Sequence, residues 1–386
     1  MAALAPSVAA VRLAVRRALT GLAGDGPVLV ACSGGADSLA LAAATAFVAP
    51  RLGRRAGLVT VDHALQAGSD RRAAAVATWA AGAGFTPAEA VRVDVAGRPG
   101  GPEAAARQAR YQALVEAARR HGAAALLTGH TRDDQAETVL LALARGSGPR
   151  GLAGMPPRRD LSGVPLLRPL LDVTREQTRK ACAALGLSPW EDPHNTDPSY
   201  ARSRVRADVL PALVRALGPA VLDNLARTAR LVAADTAALD ALAAAALAPP
   251  DPAVLADPAA TALPPPDPAV LADPAAAALP PPDPAVLADP AATAGGAGGP
   301  TPADVRVPGG GLSVEALAGL APAVRTRVLH AWARELGAAP AALSHRHVAA
   351  LDALVTDWRG QGATHLPGGI RVVRRAGRLT AAGPIA

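Results

Sequence analysis

The six residues SGGADS at positions 33–38 have the types and the order of a phosphate-binding loop. They follow an apolar segment that predicts a strand and precede one that predicts a helix. The glycines let the backbone approach a phosphate, while backbone N–H groups and the helix N-terminus supply positive potential. Ser33 and Ser38 add hydroxyl donors, and Asp37 offers a carboxylate to Mg²⁺. The loop lacks both the lysine of a Walker A loop and the GxGxxG spacing. An ordinary glycine turn is the alternative.

A second polar group contains two carboxylates, Asp134 and Glu137, in a predicted helix over 133–146. Residues three apart share one face of a helix, so both side chains can meet one ligand. The alternative is that both acids only stabilise the helix N-terminus through its dipole.

Strands that alternate with helices position these groups. Apolar segments at 26–31, 56–65, 88–95 and 124–131 predict strands, with helices predicted at 7–22, 69–83 and 102–121 and after each polar cluster. This alternation predicts an α/β fold with a parallel twisted sheet and helices on both faces. Ligands bind at the carboxyl ends of the strands in such sheets. The polar clusters at 33–38, 62–63 and 129–137 fall at those ends.

Composition narrows the class of protein. The net charge is +7, and because residues 249–300 hold six Asp and no base, the rest of the chain carries +13. A basic body suits a polyanion such as nucleic acid, although an arginine-rich composition would raise the charge without any such partner.

Cys32 and Cys182 are too few for a disulfide framework or a metal pattern. Arginines interrupt the apolar N-terminus, and no apolar run reaches the ~18 residues of a membrane span, so we expect a cytoplasmic location and no membrane.

The second half of the chain begins with a repeat. The motif PPDPAVLADPAATAL starts at Pro249, and its aspartates Asp251, Asp267 and Asp283 recur every 16 residues. Prolines at this density prevent a continuous helix and favour an extended spacer. The sequence therefore predicts four parts: a catalytic domain at 1–213, a helical connector at 214–248, a repeat linker at 249–300, and a small α+β domain at 301–386. The last part is predicted to have helices at 313–319, 322–337 and 344–358 and a β-hairpin at 364–381.

Five further blocks narrow the family. They are VDHALQAGSDRRA (61–73), EAAARQARYQAL (103–114), TGHTRDDQAETVLLALARGSGPRGLAGM (128–155), RPLL (168–171) and WEDPHNTDPSYARSRVRADVLPAL (190–213). With the loop at 33–38, they resemble the tRNA(Ile)-lysidine synthase family, a branch of the N-type ATP pyrophosphatases, over roughly residues 30–213. The block at 128–155 is the most specific. The resemblance is weaker over 301–386 and absent from the repeats.

The resemblance implies an adenine nucleotide alpha hydrolase-like, Rossmann-like PP-loop domain and an ATP-dependent ligase that forms a carbon–nitrogen bond. ATP, with Mg²⁺, would adenylate the C2 carbonyl oxygen of the wobble cytidine in CAU-anticodon tRNA(Ile). Free L-lysine would then displace AMP to form lysidine, so that the tRNA reads AUA and is charged with isoleucine. The C-terminal domain would bind tRNA. The oligomeric state stays open, a homodimer included.

Site roles follow from the resemblance, residue by residue. The residues expected to bind ATP and pyrophosphate are Ser33, Gly34, Gly35, Ala36, Asp37, Ser38, Asp62 and His63. The residues expected to act in catalysis are Asp37, which would also hold Mg²⁺, and Arg110, His130, Asp134 and Glu137, the last two binding lysine. The residues expected to bind tRNA are Arg107, Arg202, Arg204 and Arg206. The alternative for residues 62–63 is a pair of polar side chains at the strand end whose hydrogen bonds are satisfied within the protein. The alternative for residues 107–110 is a basic helix face in contact with solvent.

The chain departs from the family pattern at three positions. Thr131 stands where many relatives carry a second histidine, which leaves His130 alone at that site. Gln66 stands where many have arginine, and Ser203 where asparagine is common. The competing enzyme is a tRNA cytidine thiolase of the same superfamily, which would need several cysteines for a persulfide or an iron–sulfur cluster. The competing non-enzymatic hypothesis is a scaffold with a degenerate catalytic domain, against which the intact SGGADS and DDQAET sequences argue.

Overall fold

The computed structural model describes residues 4–64, 68–93, 102–192, 197–248, 305–307, 310–340 and 342–382. They form two compact units, Met1–Thr236 and Ala237–Ala386. The predicted repeat linker at 249–300 and Gln66 lie outside the described residues. The predicted four-part division of the chain stays a prediction, and each unit is treated by itself below.

A six-stranded sheet forms the centre of the first unit, in the order β3-β2-β1-β4-β6-β5. Its strands are β1 (Val28–Ala31), β2 (Ala56–Asp62), β3 (Ala88–Arg92), β4 (Ala125–Thr128), β5 (Arg158–Leu161) and β6 (Val164–Leu167). Neighbours are parallel except for β5, which runs antiparallel to β6. The predicted parallel sheet is therefore confirmed.

Side chains of β1 show how both faces of this sheet are covered. Val28 and Val30 pack into a core that includes helices α1 (Pro6–Leu19), α2 (Ala36–Val48) and α7 (Arg175–Ala184). Leu29 points to the opposite face and packs with Leu114 of α4 (Pro102–Arg120). Successive residues of a strand point to opposite faces, so an uninterrupted apolar strand is the pattern expected of a sheet covered on both sides.

The remaining helices of the first unit follow the strands. They are α3 (Ser69–Gly82), α5 (Arg132–Ala144), α6 (Pro149–Leu152), α8 (Ala201–Arg204) and α9 (Leu210–Leu217), with α10 (Val221–Leu247) continuing into the second unit. The segment Val205–Val209 between α8 and α9 is a π-helix. No single helix of the described residues is long and apolar enough to cross a membrane, and only Ala201–Leu217 taken with Val221–Leu247 as a bent pair has the necessary length and composition.

The second unit contains a five-stranded antiparallel sheet in the order β7-β8-β11-β10-β9. Its strands are β7 (Arg306–Val307), β8 (Gly311–Ser313), β9 (Thr364–Leu366), β10 (Ile370–Arg375) and β11 (Arg378–Ala382), and its helices are α11 (Val314–Gly319), α12 (Pro322–Glu335) and α13 (His345–Thr356). The core of the unit includes Trp332, which is 1% exposed. The structure therefore has the predicted smaller α+β unit, with five strands where the predicted hairpin has two.

Candidate active site

The glycine loop at 33–38 lies between β1 and α2, as predicted. Gly34 has φ +85°, and a Cβ there would come within 3.2 Å of Val76 Cγ2, so glycine suits this position on both counts. Ser38 Oγ donates to the carbonyl of Gly35 at 2.9 Å and accepts from the backbone N–H of Ser33 at 3.2 Å. Ser38 thus ties the loop together, and the exposed Ser33, whose Oγ lies 3.3 Å from Ser38 Oγ, is positioned where a phosphate could reach it.

Asp37 sits in the first turn of α2, where it contacts two residues of α7. Thr178 Oγ1 donates a hydrogen bond to Asp37 Oδ1, and Arg175 Nε lies 3.8 Å from Asp37 Oδ2. The pKa of Asp37 is raised to about 6, chiefly by burial. The hydrogen bond from Thr178 opposes this shift, and the charge of Asp134 adds to it. Asp37 is therefore a carboxylate that is costly to ionise in the free protein.

Asp134 and Glu137 lie on one face of α5, as their spacing predicted, and both bind arginine. Arg175 Nη2 lies 2.9 Å from Asp134 Oδ1 and 3.1 Å from Glu137 Oε1. Arg206 Nε lies 2.8 Å from Glu137 Oε1, and its Nη2 lies 3.4 Å from Asp134 Oδ1. Arg202 Nε lies 3.6 Å from Glu137 Oε2. Glu137 is completely buried, so it is paired with cations where water cannot screen the charges.

Asp134 also caps its own helix. The backbone N–H and the hydroxyl of Thr131 both donate to Asp134 Oδ2, at 2.8 and 2.9 Å, which forms a capping box. Burial raises the pKa of Asp134, but Arg175 and these hydrogen bonds outweigh burial and hold the pKa below its ordinary value. The alternative that Asp134 only stabilises the helix N-terminus therefore accounts for its contacts with Thr131. It does not account for its ion pairs with Arg175 and Arg206.

Arg175 is the functional candidate that the sequence interpretation missed. It joins the two predicted groups, because its guanidinium reaches Asp37 as well as Asp134 and Glu137. Its backbone N–H donates to Asp133 Oδ2 at 2.8 Å. The local sequence gives one signal: the T-x-x-Q capping box of Thr174 and Gln177 marks the start of α7, so Arg175 is its first residue.

His130 follows β4 and approaches the carboxylates. Thr128 Oγ1 lies 3.0 Å from His130 Nδ1. Burial lowers the pKa of His130 to about 3. The charge of Asp134 opposes this shift, and the charges of Arg168, Arg110 and Arg107 add to it. The imidazole is therefore neutral at physiological pH, which suits a hydrogen-bonding role better than that of a fixed cation.

Asp62 and His63 end β2. The backbone N–H of Ala64 donates to Asp62 Oδ1 at 2.9 Å. Burial raises the pKa of Asp62, but hydrogen bonds from Ser69 and Ala64 outweigh it, so the pKa lies below its ordinary value. The pKa of His63 is lowered by burial and then by Arg110. The Asp62 carboxylate therefore has hydrogen-bond donors within the protein. Nδ1 of His63, by contrast, is buried and has no hydrogen-bond partner among the described residues.

The predicted tRNA-binding arginines divide into three groups. Arg202 and Arg206 point to the carboxylates of α5. Arg204 points elsewhere and donates to the backbone carbonyls of Pro198 and Ser199 at 2.6 and 2.9 Å. Arg107 flanks the ring of Tyr111, with its Cζ atom 5.2 Å from the centroid, and so does Arg110, which was predicted to act in catalysis, at 5.4 Å. The roles of all these arginines stay predictions.

The site fits a magnesium ion that arrives with a nucleotide. The described residues contain no group of three or more His, Cys, Asp or Glu that could hold a metal by themselves. Mg²⁺ in nucleotide sites is usually held by one or two carboxylates together with phosphates and water. Asp37, which belongs to the glycine loop and to the first turn of α2, offers one such carboxylate, and Arg175 Nε lies 3.8 Å from its Oδ2.

The two cysteines do not form a reactive centre. Both are buried. Burial raises the pKa of Cys182 to about 11 and also raises the pKa of Cys32, although Ser38 opposes this shift. Thiolate chemistry needs a lowered pKa, so these cysteines are in the wrong surroundings for sulfur transfer.

Comparison with known proteins covers both units. Residues 11–213 match the PP-loop domain family, and residues 312–380 match the TilS substrate binding domain family. The chain is 68% identical over 384 residues to the tRNA(Ile)-lysidine synthase of Salinispora arenicola, covering 100% of this chain and 99% of the relative. It is 49% identical over 374 residues to the tRNA(Ile)-lysidine synthase of Thermobifida fusca, covering 97% of each chain.

Among solved structures, the U34-tRNA thiolase NcsA from Methanococcus maripaludis, with its 4Fe–4S cluster, is similar over 58% of this chain and 80% of its own, at 18% identity and a TM-score of 0.48. Similarity this low indicates nothing about activity. The full-length relatives and the two matched domains decide the family instead: the chain belongs to the tRNA(Ile)-lysidine synthase family of PP-loop proteins.

Proposed function

We propose that this protein is an ATP-dependent ligase that joins free L-lysine to the wobble cytidine of CAU-anticodon tRNA(Ile). The relatives that match the chain along its whole length are named for this activity. The observation in the structure that best supports it is the position of Arg175, which contacts Asp37 beside the glycine loop and both acids of α5. This contact supports the proposal that the phosphate-binding and amine-binding groups form one continuous site, as a ligase of this kind requires.

In the first half-reaction, the C2 carbonyl oxygen of the cytidine attacks the α-phosphorus of ATP. The bond from this phosphorus to the bridging oxygen breaks, and pyrophosphate leaves. The loop at 33–38 offers backbone N–H groups and the exposed hydroxyl of Ser33 to the phosphates. A Mg²⁺ ion held by Asp37 would neutralise phosphate charge. Positioning and charge stabilisation are the main contributions that a protein makes to such a step.

In the second half-reaction, an amine of lysine attacks C2, the bond from C2 to the adenylate oxygen breaks, and AMP leaves. The amine must lose a proton, since only its neutral form has a free electron pair. Asp134 and Glu137 would bind the amino groups of lysine by charge-assisted hydrogen bonds. Both are already paired with arginine in this structure, so lysine would have to replace part of those contacts.

The direct test is nucleoside analysis of CAU-anticodon tRNA(Ile) after incubation with ATP, Mg²⁺ and labelled lysine. We expect labelled lysidine together with AMP and pyrophosphate. Glu137→Gln should raise the apparent KM for lysine about ten- to hundredfold, the effect of one lost charge-assisted hydrogen bond, while pyrophosphate release survives. If the wild-type protein releases pyrophosphate but transfers no lysine to this tRNA, the proposed second half-reaction is wrong.

The same proposal sets the expected partners and location. A ligase with these substrates would act where tRNA, ATP and lysine are abundant, which is the cytoplasm. Arg204 is exposed and holds two backbone carbonyls, so we propose that it shapes the 197–204 turn and presents charge to RNA there. We also propose a homodimer, which a measurement of the oligomeric state in solution would test.

A further inference from the structure

Arg168 is a buried cation that forms no ion pair with an acid among the described residues. It is 5% exposed, follows directly after β6, and its Nη1 donates to the carbonyl of Pro156 at 2.6 Å. Its Nε is buried and has no hydrogen-bond partner among the described residues. A buried guanidinium normally pairs with a carboxylate or another anion, because one carbonyl cannot replace the hydration that the cation loses on burial. The arrangement therefore points to an anion that is brought by a ligand.

Two more arginines without a carboxylate partner among the described residues lie nearby, although Arg107 is exposed. Arg107 and Arg110 are in the first half of α4, and among the described residues neither forms an ion pair with a carboxylate. The ring of Tyr111 stands beside both guanidinium groups. Burial lowers the pKa of Arg168, Tyr111 opposes this, and the charges of Arg159 and Arg107 lower it further. Tyr111 is thus the common neighbour of a cluster of three cations.

The topology places this cluster at the functional edge of the sheet. Helix α4 connects the end of β3 to the start of β4, so its first half lies at the carboxyl ends of the parallel strands. Thr128 Oγ1 is 3.0 Å from His130 Nδ1 and 3.5 Å from the carbonyl of Leu167, which immediately precedes Arg168. The ends of β4 and β6 are thereby linked by hydrogen bonds. Ligands bind at this edge in open α/β sheets.

We propose that Arg107, Arg110 and Arg168 form a phosphate subsite around Tyr111, at the carboxyl ends of β4 and β6 and additional to the glycine loop. Arginine suits the role because its planar guanidinium binds two phosphate oxygens at once. Arg168 provides the buried floor of the subsite, and the exposed Arg107 provides its outer arm. The inference rests on the proposed function, since it assigns the phosphate to one of the two phosphate-bearing substrates.

The two sources of phosphate are the RNA backbone and ATP, and the RNA backbone is expected. The glycine loop already supplies donors for the phosphates of ATP, whereas the exposed side chain of Arg107 opens the subsite to a large ligand. Each phosphate contact to single-stranded RNA contributes about 0.7 to the slope of log affinity against log salt concentration. The two sources therefore differ in a quantity that can be measured.

The experiment uses the full chain and measures tRNA(Ile) affinity at several salt concentrations and ATP affinity at one. The variants are Arg107→Gln, Arg168→Gln and Arg168→Lys. The matched control is Arg120→Gln, which removes the same charge from the far end of α4, where Arg120 pairs with Glu89. We expect both glutamine variants to weaken tRNA binding about ten- to hundredfold and to make the salt slope shallower by about 0.7, with ATP affinity unchanged. Arg168→Lys, which keeps the charge, should retain the salt slope.

Each outcome decides a different question. A loss of ATP affinity with an unchanged salt slope assigns the same subsite to the nucleotide. Unchanged affinity for both ligands in folded Arg107→Gln and Arg168→Gln proteins overturns the subsite. If the variants of Arg168 do not fold, because its guanidinium also holds the carbonyl of Pro156, Arg107→Gln and Arg110→Gln decide alone. Lysidine formation by the wild-type protein is measured in parallel, so a failure of the proposed function is seen separately.

Discussion

At the scale of single residues, Asp37 carries an electrostatic cost that a bound cation, as proposed for this site, would relieve. Its folded pKa of about 6 lies above the ordinary value because burial disfavours the charged form. A raised acid pKa contributes stability that is present below the ordinary pKa and is lost as pH rises through about 6. The free protein therefore holds an unfavourable charge at neutral pH, which a bound cation would relieve.

Replacing Asp37 with asparagine separates stability from activity. Asp37→Asn keeps an acceptor for Thr178 and removes the charge, so we expect the free protein to gain roughly 1–3 kcal/mol at pH 8 and almost nothing at pH 4. Pyrophosphate release should be abolished. Urea unfolding at the two pH values, without nucleotide or Mg²⁺, measures the gain. A variant that is less stable than wild type at pH 8 would contradict the assigned burial cost.

Glu137 shows the opposite behaviour, because its charge is compensated. Glu137→Gln leaves Arg175, Arg202 and Arg206 facing one another without the buried carboxylate. We expect a loss of about 3 kcal/mol, the lower end for a broken buried pair, since Arg202 and Arg206 can turn to water. Glu176→Gln is the control, because the Glu176–Lys180 pair is exposed and should not change the unfolding midpoint. Equal midpoints for both variants would show that the ion pairs of Glu137 are weak.

The sequence predicted the placement of the candidate site residues better than it predicted the residues that contact them. The helical spacing placed Asp134 and Glu137 on one face, and the structure has them there. Arg175 was not predicted, because it lies 41 residues from Asp134 and reaches it only through the packing of α7 beside α2. Arg202 and Arg206 were identified as cations, but spacing along the chain does not reveal that they turn toward the acids.

At the scale of elements, the residue after β4 packs closely against the start of α2. A Cβ at Gly129 would lie 3.0 Å from the backbone of Asp37 and from the nitrogen of Ser38. Such a distance is shorter than van der Waals contact, and backbone atoms cannot rotate away. Glycine at this position therefore sets how closely the loop at 33–38 packs against the neighbouring strand.

Gly129→Ala should therefore impair the loop more than the fold. We expect a stability loss of about 1–3 kcal/mol from overpacking and a fall of at least about tenfold in ATP–pyrophosphate exchange, because small displacements of phosphate ligands are costly. Gly82→Ala is the control: a Cβ there meets nothing within 4 Å, and Gly82 ends α3. It should leave exchange unchanged. Normal exchange in folded Gly129→Ala protein would show that the loop tolerates the displacement.

The elements that the sequence missed are short or depend on a turn. The hairpin β5–β6 was not predicted, although Ser162 and Gly163 both have positive φ, at 55° and 83°, as a two-residue hairpin turn requires. The Ser-Gly pair between Leu161 and Val164 was the available signal. Strands β7 and β8 have two and three residues, too few for an alternating pattern to be recognised. The long amphipathic and buried elements were predicted within a few residues.

At the scale of the whole molecule, α10 provides part of the core of the second unit. Ala243, Ala246 and Leu247 are 3%, 3% and 5% exposed and belong to the same core as Trp332. Two polar contacts accompany this packing: Arg327 Nε is 3.0 Å from Asp240 Oδ1, and Arg306 Nε donates to the carbonyl of Leu247. The sequence predicted a domain that starts at 301, with the end of α10 as a connector. The packing of α10 leads us to expect a folding unit that starts near Ala237, while the boundary at 301 stays a prediction.

Two fragments test where this unit begins. The fragment 237–386 keeps the last part of α10, and we expect it to unfold cooperatively. The fragment 301–386 lacks Leu247 and the two buried alanines, and burial of a leucine alone contributes about 1.5–3 kcal/mol. With the ion pair and the capping hydrogen bond also lost, the deficit approaches the total stability of a small domain, so this fragment should be largely unfolded. Circular dichroism during thermal unfolding distinguishes the two.

A pair of point variants in the fragment 237–386 separates the packing of α10 from fragment length. Leu247→Ala should cost about 2–4 kcal/mol, because it empties a buried position. Leu242→Ala is the matched control on the same helix, where the side chain is 55% exposed and its removal should change little. Cooperative unfolding of 301–386 with the stability of 237–386 would place the boundary after the repeats, as the sequence predicted. Unequal effects of the two leucine variants would place it inside α10, where the buried face of the helix meets Trp332 and its neighbours.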